Sequence, residues 1–106
     1  SRSCWYESGL LQFYNFRLLI LEPDTPLEAL PEITLDAVLI RGDPAWKPEQ
    51  VMSLLRCRQV ILDASCSYSA LQRWRRYSLR ENLSLHDIRR DGAFLFDINQ
   101  HSTVYL

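Results

Sequence analysis

Seven side chains in this sequence have types and spacings that bear on chemistry, and they sit close together. Arg73, Arg76 and Arg80 recur at intervals of three and four residues, which places them on one side of a helix. Such a stripe can hold the phosphates of a nucleic-acid backbone, and arginine's planar fork of donors matches phosphate or carboxylate. A solvated helix face has the same look. Just upstream, Ser65, Ser67 and Ser69 form a small polar turn at the expected helix start, where free backbone N–H groups and the helix dipole favour an anion. The commoner task of such serines is to cap the helix, and Ser69 with Gln72 has the spacing of a capping box. Cys66 lies in the same turn, where a helix N-terminus can lower a thiol's pKa.

The residues needed for other chemistries are missing or scattered. The two histidines, His86 and His101, form neither a His-x-His nor a His-x-x-x-His pair, so no metal site is expected. No Gly-x-Ser-x-Gly supports a serine nucleophile, and three glycines in all make no phosphate-cradling loop. Cys4, Cys57 and Cys66 are odd in number and widely spaced, which suits free thiols better than zinc ligands or a disulfide framework. Asp36, Asp43 and Asp63 read as strand-end residues. The residues argue against an active enzyme in this chain and call for no cofactor.

The elements that carry these groups follow from hydropathy patterning. Residues 59–63 are a short apolar strand feeding the serine turn. The helix after it has Ala70, Leu71, Trp74 and Tyr77 on its inner face and stops at Asn82. Residues 10–13 and 17–22 read as a hairpin, 37–41 as a third strand and the segment after Pro48 as a short helix. Residues 27–35, with Pro31, read as a surface turn. Residues 85–89 and 93–98 are expected as a second hairpin around Arg90-Asp91-Gly92, with an edge strand at 103–106. The fold class is α/β, a single mixed sheet of about six strands with two main helices on one face. The apolar runs at 18–21, 37–40 and 60–62 call for cover on both faces. Two helices supply it on one side only. These elements leave the second face bare, so something else must lie over it.

At 106 residues the chain has the size of one domain, and 47% hydrophobic with 24% charged residues is an ordinary globular composition. No run approaches the length of a membrane helix and no signal peptide is evident, so the segment reads as soluble. It begins without methionine, which suggests a piece of a larger protein. The net charge of −1 is unevenly spread. Residues 1–53 hold four basic and eight acidic side chains, and residues 54–106 hold eight and five. Eleven of the twelve basic residues are arginine, a preference that coding bias also explains.

From about Leu10 onward the chain resembles the C-terminal region of ComEC-type competence proteins, the integral-membrane DNA-uptake family. The resemblance rests on LLQFYNFRLLIL, LDAVLIRGDP, VILDAS followed after eight residues by Trp74, and the closing DGAFLFDI. It implies a divergent half of a metallo-β-lactamase-like fold, two sheets face to face with helices outside. The departure comes where that fold keeps its metal ligands: after Ile40 stands Arg41-Gly42-Asp43-Pro44 and no histidine pair. The resemblance thus implies a non-catalytic domain of a bacterial inner-membrane DNA-uptake protein, on the periplasmic side. Its role would be binding, docking or structural, with DNA as the candidate partner. Because the full family fold packs its other half on the bare sheet face, the resemblance also implies a homodimer through that helix-free face or docking on the rest of the parent chain. It also leaves two alternatives, a nuclease half-domain whose ligands come from elsewhere in the parent, and a protein-interaction module with no nucleic-acid role.

Overall fold

Three strands with apolar residues on both faces occupy the centre of the sheet: β3 (Phe16–Leu21), β4 (Thr34–Ile40) and β5 (Arg56–Leu62). They run parallel, with Leu18 opposite Ala37, Val38 opposite Val60 and Ile40 opposite Leu62. The structure is a computed structural model that describes residues 4–7, 9–13, 15–26, 32–43, 46–99 and 102–106. Most of the surface turn expected at 27–35 lies outside these residues. On one side β2 (Leu10–Phe13) pairs antiparallel with β3, and β1 (Cys4–Glu7) pairs antiparallel with β2. On the other side β6 (Ser84–Asp87) pairs parallel with β5. The sheet order is β1-β2-β3-β4-β5-β6.

That order runs in one direction through the parallel strands, so right-handed crossovers put both connecting helices on the same face. These are α1 (Pro48–Leu54) and α2 (Tyr68–Glu81). Proline suits the first turn of α1, where its missing N–H has no intrahelical partner to lose. Asn82 closes α2 in the left-handed conformation at φ 56°. Between helices and sheet, Val51, Ala70, Leu71 and Trp74 pack with Leu19, Leu21, Val38, Ile40, Val60 and Leu62. This is the expected α/β class, mixed sheet and one-sided pair of helices.

Three expectations need correction. Residues 4–7 form an edge strand that the sequence pattern does not reveal, because four residues make too short a pattern to read. The segment 85–98 is not a hairpin. Asp87 ends β6 and caps a helical turn, α3 (Ile88–Asp91), with its Oδ1 accepting the Arg89 N–H at 3.1 Å. Gly92 ends that turn at φ +84°. The chain then enters β7 (Leu95–Asn99), which pairs with β8 (Ser102–Tyr105) in a separate two-stranded ribbon. Phe94 and Leu106 extend the ribbon by exchanging two backbone hydrogen bonds, of 3.0 and 2.8 Å.

The third correction concerns the second sheet face, which is not bare. Leu18, Ala37, Leu39 and Ile61 are buried there, and Ile88, Phe94 and Leu106 pack against them together with Leu11, Phe16 and Ile20. The turn at α3 brings the C-terminal segment back across the sheet. The apolar side chains expected to be uncovered there are thus buried within the chain itself, with Leu11, Phe16 and Ile20 left partly buried.

A cationic groove between the two helices

Helix α2 is placed by its first turn, and its first turn is placed by the loops that follow β4 and β5. Ser67 is the N-cap: its Oγ accepts the Ala70 N–H at 3.1 Å. Ser69 therefore stands within the first turn, as its second residue, instead of capping the helix with Gln72, and its Oγ accepts from the Arg73 guanidinium at 3.0 Å. The Ser67 N–H donates to Asp43 Oδ1 at 2.6 Å, so a carboxylate of the chain itself occupies the place where an external anion was expected. Ser65 bridges the two loops. Its Oγ donates to Asp63 Oδ2 at 2.7 Å and accepts the Gly42 N–H at 2.8 Å. Gly42 holds φ +69°, and a Cβ there would lie 2.6 Å from Pro23 Cγ, so the turn has no room for a side chain.

These bonds set the ionisation of the loops. The Ser67 backbone N–H lowers the Asp43 carboxyl below the ordinary carboxylate range, with help from the Ser67 hydroxyl and Arg73. The Ser65 hydroxyl does the same for Asp63. Cys66 points inward with its thiol toward the Ile40 carbonyl at 3.3 Å, and burial, reinforced by Asp43 and Asp63, pushes it up to about 11. The lowered thiol pKa that a helix N-terminus can supply is absent, because the apolar surroundings outweigh the dipole. Arg89 secures the same loop from α3 by donating to the carbonyls of Ala64 and Cys66.

The arginine stripe is brought together as its spacing implies. Arg73, Arg76 and Arg80 line a groove of about 260 Å³ between α2 and the start of α1, with Lys47, Glu49 and Tyr77. Arg80 lies 5.3 Å over the Tyr77 ring, and Tyr77 meets Trp74 edge-on at 6.1 Å, which fixes that wall of the groove to the core. Within the stripe Arg80 forms an ion pair with its exposed neighbour Glu81, at 3.2 Å. The remaining arginine of the helix, Arg75, turns the other way and pairs at 3.2 Å with Asp87, a buried carboxylate at the end of β6. The structure thus divides the expected site. The three arginines form one surface, while the serines are spent on loop and helix anchoring, linked to it through Ser69 and Arg73.

Lys47 and Glu49 were not legible as members of this site. They lie 26 and 24 residues before Arg73, and no periodicity connects them. Among the described residues no group of three or more His, Cys, Asp or Glu is placed to hold a metal ion.

A three-layered arrangement, with helices, a largely parallel sheet and a C-terminal ribbon, thus presents a cationic groove on its helical side. A family model described as the ComEC C-terminal domain matches residues 2–98, and the chain belongs to that family. No curated protein and no solved structure matches it. Among the described residues no helix is long and apolar enough to cross a membrane.

Proposed function

We propose that this chain is the non-catalytic C-terminal domain of a ComEC-like DNA-uptake protein of the bacterial inner membrane, on the periplasmic side, and that it binds nucleic acid through the α2 groove. The observation that carries the reading is the convergence of Arg73, Arg76 and Arg80 on one groove. A module recognising only protein would be favoured by a stripe neutralised within the chain. Among the described residues the ion pair of the stripe is Arg80 with Glu81, exposed and weak, and Asp43 at the helix start feels the charge of Arg73 without pairing with it. Docking on the remainder of a longer chain, or on a second copy, would use the half-buried rim of Leu11, Phe16 and Ile20 beside the C-terminal ribbon.

Binding of a fluorescent DNA duplex, followed by anisotropy between 50 and 200 mM salt, tests the proposal. Each phosphate neutralised contributes about 0.9 to the slope of log K against log salt, so replacing all three arginines with glutamine should reduce that slope by about 2–3. Glutamine is a good helix former, and circular dichroism should show α2 intact. A triple variant that binds with the same affinity and slope as the parent chain rejects the assignment.

A further inference from the structure

The groove has a second wall, and its charge is as telling as the first. We infer that Lys47 is a fourth phosphate contact of the same site and that Glu49 is its built-in repulsive element, so that a nucleic-acid backbone sits between α1 and α2 instead of lying along α2 alone. This rests on the nucleic-acid reading above. Arg73 to Arg80 spans seven residues, about 10.5 Å of helix, so a backbone lying along α2 would meet three cations in a line and nothing opposite. The groove instead brings Lys47 and Glu49 from the start of α1 to face them.

Lys47 is well suited to the part. Its ammonium has no carboxylate partner among the described residues, and the structural work of this residue is done by its main chain. The Lys47 N–H donates to Gln50 Oε1 at 2.7 Å, and its carbonyl accepts from the Gln50 and Val51 N–H groups. The side chain can therefore be changed without removing the cap of α1. A compact ammonium on a flexible stem adds charge to the ligand's far side without demanding fixed geometry.

Glu49 acts in the opposite sense. It lines the groove yet forms no ion pair with Arg73, Arg76 or Arg80 among the described residues. A carboxylate facing bound phosphates opposes them through space, which lowers affinity and keeps binding reversible. The formal sum over the five charged groups is four positive minus one negative, +3.

The test uses the whole 106-residue chain and the same fluorescent duplex, with a single strand of one duplex sequence as a second probe. Lys47→Ala should weaken binding and lower the salt slope by about 0.9 on the duplex, or about 0.7 on the single strand, while Lys47→Arg keeps the parent slope. Glu49→Gln should tighten binding about two- to fivefold. If Lys47→Ala matches the parent chain while the triple arginine variant loses binding, the two-walled site is overturned and the α2 reading stands. If Glu49→Gln leaves affinity unchanged or weakens it, the repulsive role is overturned. If the parent chain binds neither probe at 50 mM salt, the reading beneath the inference falls as well.

Discussion

At the scale of single residues, what a group can do here is decided by what it already holds. Cys66 precedes a helix N-terminus, yet it is buried at 3% exposure between the sheet and α2, and its thiol titrates near 11. Cys57 on β5 is pushed equally high, also by burial. Because the thiolate is the reactive form, at pH 8 only about one molecule in a thousand would carry it at either site. Iodoacetamide labelling mapped by mass spectrometry should therefore leave both cysteines unmodified in the native chain and modify them once urea unfolds it. Rapid native labelling of Cys66 would mean that the turn 64–67 opens far more readily than its bonds to Asp63 and Arg89 imply.

At the scale of elements, α2 is the part whose anchoring decides whether the groove exists. Its N-cap Ser67 is tied to the loop after β4 by Asp43, and Ser65, held by Asp63, ties the loop leading into the helix to Gly42 of that same loop after β4. Both carboxyls titrate lower in the folded chain than in an unfolded one. Their stabilisation is therefore complete above the unfolded value of about 3.9 and is lost as pH falls through the lower folded values. Urea unfolding followed by tryptophan fluorescence should show Asp43→Asn less stable than the parent at pH 7, with the gap closing toward pH 3. Asp63→Asn should behave alike. A gap that stays constant from pH 7 to pH 3 would show that the ionised form of Asp43 has no part in holding α2.

At the scale of the whole molecule, the sheet is covered from both sides by one chain. Helices α1 and α2 take one face, and on the other Ile88, Phe94 and Leu106 pack on Leu18, Ala37, Leu39 and Ile61. Phe94 also meets the His86 ring edge-on at 5.3 Å, which ties the ribbon to β6. Phe94→Ser should uncover this apolar patch, and large exposed apolar patches drive association. Light scattering over a concentration series should then show greater self-association than for the parent chain, and dye binding to exposed apolar surface should rise. An unchanged molar mass with unchanged dye binding would show that Phe94 is not what closes the face.

How far the sequence reaches can be judged from particular elements. The unbroken apolar runs at 18–21, 37–40 and 60–62 require strands buried on both sides, and the inner stripe of Ala70, Leu71, Trp74 and Tyr77 requires a helix lying on them. Local periodicity also places Arg73, Arg76 and Arg80 together, because neighbours on a helix are neighbours in sequence. What local pattern does not carry is contact between distant segments. Ser67 rather than Ser69 caps α2 because Asp43 reaches its N–H from 24 residues away. Lys47 enters the groove because a right-handed crossover lays α1 beside α2. The second face is closed because Asp87, a buried carboxylate held by Arg75, turns the chain back over the sheet. Short-range order was written in the chain, whereas the partners that complete the groove and the core were chosen only when the layers packed.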